Sequence, residues 1–485
     1  MFLMGELYLG LDIGTKNIKA TIISENGEIV EKTSVPVYDL IVQPKEDFAE
    51  RSAVALWERI KETLAHLKSL QRVTAICVDS TSGTFTLIDK EHKEFYNLIM
   101  YNDSRGKTEA KELRERSEAA KDFERFLPIV PQLVIPKLLW LKKNFEHFNK
   151  VGHLLHENDY AVFKLSGSIA TSSNSAGKSH ALLEGLGYLK KAYEDVELPL
   201  EIMPEIRPIG GIIGYTNQEA AKLGLPIGTP IVNGVTDASA GDITSGALNP
   251  GQANFTIGTS LTVHAVVNKL SPDEHGRFYY KTYVNNAYLA GGFTNAGTAS
   301  FDSMSRTMKM SLDELTEAAK VVPPGSDGIM ACSEWYGVRV PKTYPQVKGF
   351  FIGLSEKNIS PGHIFRSLLE GSSMTLRLML SAVEEVTGTT FYDLRASGGA
   401  SKNTLFMQIV ADALGKDVKV VEEPDSALGS ALIAAWAVGK QNMDHLVDRT
   451  VKIKSEFKPN LENKAAYDQL VQKYNRVVEA LANTL

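Results

Sequence analysis

The 485-residue sequence is poor in cysteine and has no long apolar run. Its two cysteines, Cys77 and Cys332, cannot form a disulfide framework, and so low a count is typical of a reducing compartment. No uninterrupted apolar stretch reaches about 18 residues, so we expect no transmembrane helix. The apolar N-terminus lacks a basic segment and contains Glu6 and Asp12, which favours a strand over a signal peptide. We therefore expect a cytoplasmic protein with no membrane partner.

The chain also lacks an excess of basic charge. Lys and Arg number 52 against 58 Asp and Glu, which gives a formal net charge of −6. Nucleic-acid phosphates are neutralised by basic surfaces, so we expect no nucleic-acid partner. Hydrophobic residues make up 43% and charged residues 23%, which excludes disorder as the main state. At about 150 residues per domain, the length predicts two large domains or three smaller ones.

Strand patterns open each half of the chain. Apolar runs at 7–13, 18–23 and 29–35 are separated by turn residues and predict an antiparallel meander. An amphipathic helix at about 49–70 and a strand at 72–78 follow, which is the pattern of a sheet with parallel members. Further strand runs begin near residue 253, after a helix predicted to start at Asp237. We therefore predict a duplicated α/β architecture with a boundary near residue 246.

The first run ends in a motif suited to phosphate. Asp12 closes the strand, and Gly14, Thr15, Lys16 and Asn17 form the turn that follows it. Gly14 allows close approach to the backbone, successive N–H groups form an anion nest, and Thr15 adds a hydroxyl donor. Asp12 could hold Mg²⁺ beside those phosphates, directly or through water. An ordinary hairpin with Asp in its turn is the alternative.

The second half repeats this motif between two predicted strands. Gly258, Thr259 and Ser260 form its turn, so two hairpins at matching places could grip a polyphosphate from both sides. Two ordinary hairpins are the structural alternative.

Asp237 follows a strand and precedes small residues that open a helix. Its carboxylate could take the proton of an attacking hydroxyl, or it could cap the helix, and the two roles can coexist. The helix N-terminus favours an ionised carboxylate in either case. A similar strand-to-helix turn contains Gly398, Gly399 and Ala400, which suit close ligand contact or an ordinary glycine turn.

Two further patterns suggest other chemistry. Gly177, Lys178 and Ser179 resemble the end of a P-loop, but Ser172 stands where the first glycine is required. His153 and His156 are spaced for one helix face, but without a further clear ligand they favour surface or cap chemistry over a metal site. We expect neither a P-loop nor a histidine metal site.

Taken together, the motifs resemble the FGGY carbohydrate kinases, the family of glycerol, gluconate, xylulose and ribulose kinases. The resemblance extends over nearly the whole chain and keeps the motif order. The segments that carry it are 10–15, similar to a first phosphate motif; 100–105, similar to a sugar-contacting segment; 234–241 around Asp237; 257–260; 349–354 followed by 363–370; and 398–403.

The resemblance implies two actin-like (ribonuclease H-like) domains, with ATP and a sugar in the cleft between them. The expected domains are 1–246, which binds sugar, and 247–459, which binds nucleotide, with a helix at about 460–485 able to pack back on the first. Asp237 would be the catalytic base, Asp12 the Mg²⁺ ligand, and ATP and Mg²⁺ the cofactors. The implied nucleotide-binding residues are Gly14, Thr15, Lys16, Asn17, Gly258, Thr259, Ser260, Gly398, Gly399, Ala400 and Asn403. The implied substrate-binding residues are Asp12, Thr81, Ser82, Asn102, Asp103, Arg105 and Asp237.

The segment from Asp79 to Thr84 bears on the choice of sugar. Its small residues resemble those of ribulose-type kinases, and it lacks the Arg-Glu pair of glycerol kinases and the Met-His of typical xylulose kinases. We therefore predict a ketopentose kinase, with D-ribulose ahead of D-xylulose. Gluconate or another polyol is an alternative acceptor, and an actin-like ATPase or a sugar-sensing binding protein is an alternative class. The oligomeric state is left open, a homodimer included.

Overall fold

The computed structural model describes residues 5–340, 342–422, 424–439 and 441–485. Its strands are β1 (Leu7–Ile13), β2 (Asn17–Ser24), β3 (Ile29–Pro36), β4 (Ile41–Val42), β5 (Glu50–Arg51), β6 (Val73–Ser80), β7 (Phe85–Asp89), β8 (Leu98–Ile99), β9 (Val151–His156), β10 (Ala170–Ser172), β11 (Glu205–Arg207), β12 (Ile212–Tyr215), β13 (Pro230–Val232), β14 (Gln252–Ile257), β15 (Leu261–Val267), β16 (Tyr279–Thr282), β17 (Tyr288–Thr294), β18 (Met330–Cys332), β19 (Phe350–Ile352), β20 (Asp393–Ser397), β21 (Val418–Val421) and β22 (Ile453–Phe457). Its α-helices are α1 (Ala53–Ala65), α2 (Lys107–Arg116), α3 (Glu118–Phe123), α4 (Val134–Asn144), α5 (Glu157–Ser166), α6 (Lys190–Asp195), α7 (Gln218–Lys222), α8 (Asp237–Ser245), α9 (Ala299–Met308), α10 (Leu312–Lys320), α11 (Pro361–Thr387), α12 (Thr404–Leu414), α13 (Ser426–Val438), α14 (Met443–Thr450) and α15 (Leu461–Thr484).

The chain forms two compact units. Unit 1 runs up to Gly246 and also contains Lys281–Asn286 and Asp425–Thr450. Unit 2 contains Ala247–Tyr280, Ala287–Pro424 and Val451–Leu485. The expected second domain, 247–459, is therefore not one continuous block, because two of its segments pack in unit 1.

Unit 1 is built on a six-stranded sheet with the order β12-β13-β6-β1-β2-β3. Strands β1, β2 and β3 pair antiparallel, as the meander pattern predicts, and β6 pairs parallel to β1. Helix α1 connects β3 to β6 through the short strands β4 and β5, and it buries Leu56 and Ile60 against the sheet. The Ser52 side chain accepts a hydrogen bond from the Ala55 backbone N–H at 3.2 Å and so caps this helix.

Helix α13 brings a late part of the chain into unit 1. It packs against β1 at Gly10, where an added Cβ would lie 1.8 Å from the Ala427 carbonyl oxygen and 2.4 Å from the Ala431 nitrogen. Only glycine permits this approach of a helix to a strand. Helix α13 is buried along most of its length and carries Ser430 to the sheet.

A second sheet of unit 1 has the order β4-β5-β8-β7-β9. His153 and His156 are on strand β9, so the helical spacing assigned to them is wrong. His156 is buried, and its ring contacts Asp159 at 2.7 Å and Ser179 at 2.9 Å. The described residues contain no group of three or more His, Cys, Asp or Glu side chains able to hold a metal ion.

Unit 2 repeats the strand arrangement at the centre of unit 1. Its seven-stranded sheet has the order β16-β17-β15-β14-β20-β21-β22. Strands β14, β15 and β17 pair antiparallel, and β20 pairs parallel to β14, as β6 does to β1. This repetition is the duplicated architecture that the sequence predicts.

The terminal helix α15 packs within unit 2. Its Tyr474 and Val478 are buried in a cluster with Met330 and Cys332 of β18. The expectation that this helix packs back on the first domain is therefore wrong, because its apolar face is already covered inside unit 2. Among the described helices, none has the length and apolarity needed to cross a membrane.

Candidate active site

The first phosphate turn lies between β1 and β2 in unit 1. The Gly14 N–H donates to the Asn17 carbonyl at 3.1 Å and closes the turn, and the Lys16 carbonyl accepts from the Val37 N–H at 2.8 Å. Lys16 is exposed, while Gly14, Thr15 and Asn17 are half-buried. The turn is thus a hydrogen-bonded hairpin whose residues remain partly accessible to a ligand.

Two carboxyl groups lie side by side at the end of this sheet. The register of β1 and β6 pairs Asp12 with Asp79, and both side chains are buried. The Ser430 hydroxyl of α13 donates to Asp79. Burial, reinforced by Asp237, raises the pKa of Asp12 to about 7. Burial and the neighbouring Asp12 raise the pKa of Asp79 well above its usual range.

This cluster of carboxyl groups fits a magnesium ion that arrives with a nucleotide. Within the described residues, the buried Oδ1 atom of Asp12 has no hydrogen-bond partner. Asp237 raises the pKa of both Asp12 and Asp79, so a cation beside Asp12 would relieve its repulsion with Asp237. Mg²⁺ usually takes one or two carboxylates and completes its shell with water and substrate phosphates, so a cage of three protein ligands is not required.

Asp237 lies at the start of α8. Thr236 has the extended backbone of the N-cap, so Asp237 is the first helical residue and the N-cap alternative is wrong. Its Oδ1 accepts from the Ala238 N–H at 2.6 Å, and its backbone carbonyl accepts from the Ser426 hydroxyl at 2.9 Å. The side chain is half-buried and close enough to Asp12 and Asp79 to raise the pKa of both.

The two segments implied to bind sugar lie against each other in unit 1. The Thr81 and Thr84 hydroxyls are 2.7 Å apart, and the Tyr101 N–H donates to the Thr84 hydroxyl at 3.0 Å. The buried Lys137 of α4 donates to the Gly83 carbonyl at 3.1 Å and to the Met100 carbonyl at 2.8 Å. The structure therefore joins segment 81–84 to segment 100–105.

Within these segments, the degree of exposure separates the predicted residues. Ser82 is half-buried and Asn102 is exposed, whereas the Asp103 and Arg105 side chains have no exposed surface. Arg105 pairs with Asp103 at 2.7 Å and with Glu50 at 2.6 Å. Its guanidinium also lies 4.1 Å from the centre of the Phe48 ring. These inward contacts favour a role for Asp103 and Arg105 in holding the loop, and leave Ser82 and Asn102 as the accessible polar members.

Sequence reasoning missed Lys178, which it considered only as part of a P-loop pattern. The residues Gly177–Ser179 form a single 3₁₀ turn. The Lys178 ammonium lies 5.7 Å from the centre of the Tyr101 ring, and its stem packs on Gly83. Burial and Lys281 lower the pKa of Lys178 to about 8, and Asp237 opposes that shift. A cation therefore lies among the sugar segments and near Asp237.

In unit 2, the second phosphate turn and the late glycine pair lie together. Strands β14 and β20 run parallel, so their carboxyl ends share one sheet edge. Gly398 has a φ of +91°, and a Cβ there would lie 2.6 Å from the Ile257 carbonyl oxygen. Gly258 and Ala400 are half-buried, and Thr259, Ser260 and Gly399 are exposed. This edge combines two turns whose backbones are accessible.

Asn403 has a structural role in the same region. Its side chain caps α12 by accepting from the Phe406 N–H at 3.0 Å, and it donates to the Thr316 hydroxyl at 2.8 Å. The predicted contact between Asn403 and a nucleotide would have to coexist with these bonds.

Family models match both halves of the chain. The N-terminal domain of the FGGY family of carbohydrate kinases matches residues 7–244, and the C-terminal domain of that family matches residues 253–438. Together these matches cover most of the chain and confirm the resemblance drawn from the motifs.

Individual relatives extend the match over almost the full length. A xylulose kinase of Bacillus subtilis (strain 168) is 25% identical over 483 residues, covering 97% of this chain and 96% of that protein. A gluconokinase of the same organism is 26% identical, covering 90% and 88%. The solved structure of a ligand-bound xylulose kinase from Lactobacillus acidophilus is 22% identical, has a TM-score of 0.90 and covers 98% of each chain, which shows the same fold. The chain belongs to the FGGY family of carbohydrate kinases and is an ATP-dependent sugar kinase.

Proposed function

We propose that the protein transfers the γ-phosphate of ATP to a hydroxyl of a ketopentose, with D-ribulose preferred over D-xylulose. The observation that carries this proposal is the joined pair of segments at 81–84 and 100–105. Their accessible side chains are small or hydrogen-bonding, and they lie close to Lys178 and Asp237. Such a surface suits a compact polyhydroxy acceptor.

In this proposal Asp237 is the catalytic base. It accepts the proton of the sugar hydroxyl as that hydroxyl attacks the γ-phosphorus. The positive end of α8 stabilises the carboxylate form, and the bond from the Ala238 N–H orients it. The half-buried position leaves the carboxylate accessible to a substrate while its backbone is fixed.

In this proposal the nucleotide is contacted by residues of the two turn regions. In unit 1, Thr15 and the main-chain N–H groups of residues 14–17 would bind phosphate oxygens, and Asp12 would hold Mg²⁺ directly or through water. When bound, Mg²⁺ neutralises the charge that develops on the phosphate oxygens. In unit 2, Thr259 and Ser260 would bind phosphate, and Gly398, Gly399 and Ala400 would lie against the nucleoside.

The choice among sugars would depend on hydrogen bonds. D-Ribulose and D-xylulose differ in the configuration of one hydroxyl, so a donor or acceptor placed for one is misplaced for the other. A site that bonds a substrate hydroxyl discriminates strongly, because a wrong substrate leaves buried polar groups unpaired. Ser82 and Asn102 are the accessible candidates for this selection.

Gluconate is a second candidate acceptor, because Lys178 places a cation among the sugar segments. An ammonium there would pair with a sugar-acid carboxylate. A gluconokinase among the relatives points the same way. The variant Lys178→Met separates the two candidates: it should lower activity toward gluconate much more than activity toward D-ribulose if the carboxylate is bound there.

An ADP-release screen tests the proposal. The purified protein is assayed with ATP and Mg²⁺ against D-ribulose, D-xylulose, gluconate, ribitol and glycerol. We expect the highest kcat/KM for D-ribulose, then D-xylulose, and little activity with glycerol. A value for D-ribulose no higher than that for glycerol would overturn the substrate proposal, and ADP release that ignores every sugar would indicate a plain ATPase.

A further inference from the structure

A fully buried ion pair lies between the first phosphate turn and the sugar segments. Arg51 is the last residue of β5 and Glu157 the first residue of α5, and neither side chain has any exposed surface. Their side chains are in direct hydrogen-bond contact. Neither residue belongs to a motif that the sequence analysis selected.

Each partner also bonds to one of the two candidate ligand regions. Arg51 Nη1 donates to the Gly14 carbonyl at 3.1 Å, in the turn that is proposed to bind phosphate. Glu157 Oε2 accepts from the Thr81 hydroxyl at 3.1 Å, in the segment that is proposed to bind sugar. The Thr81 hydroxyl is also hydrogen-bonded to the Thr84 hydroxyl, which accepts from the Tyr101 N–H. One buried chain of hydrogen bonds therefore joins all three loops.

Stability alone does not account for this pair. Removing two charges from water costs several kcal/mol for each ion, and apolar side chains of similar volume often hold a core equally well. The distinctive property of the pair is that each side chain makes a further bond outside the pair. The guanidinium bonds to one loop and the carboxylate to another, so the pair links two loops.

We propose that Arg51 and Glu157 form a positioning pair that fixes the first phosphate turn relative to the acceptor segment. The Gly14 carbonyl sets the orientation of its peptide and hence of the neighbouring N–H groups. The Thr81 hydroxyl sets the loop that carries Ser82. Transfer needs the attacking hydroxyl and the phosphorus to be aligned, and a misplacement of about 1 Å can cost about 100-fold in rate.

The test compares variants that cut the chain of bonds in different ways. Arg51→Met with Glu157→Met removes both charges together, so no unpaired charge stays buried. Arg51→Lys keeps the ion pair but lacks the fork that reaches the Gly14 carbonyl as well. The matched control is Lys164→Met with Glu94→Gln, which removes an ion pair of 2.8 Å whose lysine lies on the same helix, α5.

The measured quantities are kcat, the KM for ATP, the KM for D-ribulose and the melting temperature. For Arg51→Met with Glu157→Met we expect kcat/KM to fall about 100-fold for both substrates, with a melting temperature close to wild type. For Arg51→Lys we expect the KM for ATP to rise more than the KM for D-ribulose. The control should leave all kinetic constants within about twofold of wild type. If the double variant does not fold, the KM split of Arg51→Lys decides.

Two results would overturn the inference. One is a folded double variant with kinetic constants equal to those of the control. The other is an Arg51→Lys protein in which both KM values stay at wild type. The inference rests on the proposed function in one respect only, which is the choice of D-ribulose as the test substrate. If the wild type does not phosphorylate D-ribulose, that substrate proposal fails, and the same variants are compared with whichever sugar of the screen the wild type phosphorylates.

Discussion

Asp12 and Asp79 lie directly opposite each other on the adjacent parallel strands β1 and β6. Paired residues of parallel strands face the same side of the sheet, so the two carboxyl groups are neighbours in a buried environment. Burial raises the pKa of Asp79 well above its usual range, and Asp12 and Asp237 raise it further. These surroundings favour the protonated form of Asp79 over the form that an exposed aspartate takes.

This relationship predicts that Asp79→Asn stabilises the protein at pH 8. A carboxyl group whose pKa is raised in the folded state opposes folding once the pH exceeds its unfolded value of 3.8. Asparagine has a similar shape, can still accept from Ser430, and carries no such penalty. Urea denaturation should show a higher free energy of unfolding for Asp79→Asn than for wild type at pH 8, and a difference that shrinks toward pH 4.

The control for this prediction is Asp448→Asn, a change at an exposed carboxylate of unit 1. Its free energy of unfolding should follow wild type at both pH values. A variant Asp79→Asn that is less stable than wild type at pH 8 would show that Asp79 is ionised and stabilised by its surroundings.

Lys137 provides a second prediction, about the sugar segments. The variant Lys137→Met leaves the Gly83 and Met100 carbonyls unpaired, which costs about 1–3 kcal/mol for each group. Because both carbonyls belong to the sugar segments, we expect the KM for D-ribulose to rise about tenfold while the KM for ATP changes little. Steady-state kinetics with each substrate varied in turn measures this split.

Lys143 on the same helix is the matched control for Lys137. Its ammonium pairs with Glu109 at 3.2 Å near the surface, and Lys143→Met should leave both KM values near wild type. Equal increases in both KM values for Lys137→Met would argue against a specific effect on the sugar segments.

His180 predicts a loss of stability in mild acid. Its ring is buried, and within the described part of the chain neither ring nitrogen has a hydrogen-bond partner. Burial lowers the pKa of His180 from 6.5 to about 4, so the unfolded chain binds a proton between these values that the folded protein does not. Wild type should therefore lose about 3 kcal/mol of stability through His180 as the pH falls from 6.5 to 4.

The variant His180→Phe should lack the part of the acid-induced loss of stability that comes from His180. Urea denaturation between pH 7 and pH 4 should give a shallower fall for His180→Phe than for wild type. Parallel curves would show that His180 is protonated or solvated in the folded protein.

Local patterns were sufficient to predict the elements that carry the motifs. The meander of β1, β2 and β3, the parallel partner β6 and the start of α8 near Asp237 follow from apolar periodicity and turn residues, which act over short distances. The repeat of this arrangement in unit 2 was predicted for the same reason.

Long-range packing accounts for what the sequence did not reveal. The bond between Ser430 and Asp79 and the pair of Arg51 with Glu157 join residues more than 100 positions apart. The ion pair of Arg105 with Glu50 also depends on long-range packing, since Glu50 lies on β5, 55 positions earlier in the chain. Lys178 was overlooked because its local pattern resembles an incomplete P-loop, and only the fold brings it beside Gly83.

The central claim is that Asp237 accepts the proton of the sugar hydroxyl, and Asp237→Asn tests it most directly. Steady-state phosphotransfer and calorimetric binding of D-ribulose are measured on the same preparation. We predict that kcat falls about 1,000-fold while the dissociation constant for D-ribulose stays within a few-fold of wild type. A variant that keeps more than a tenth of the wild-type kcat would contradict the claim.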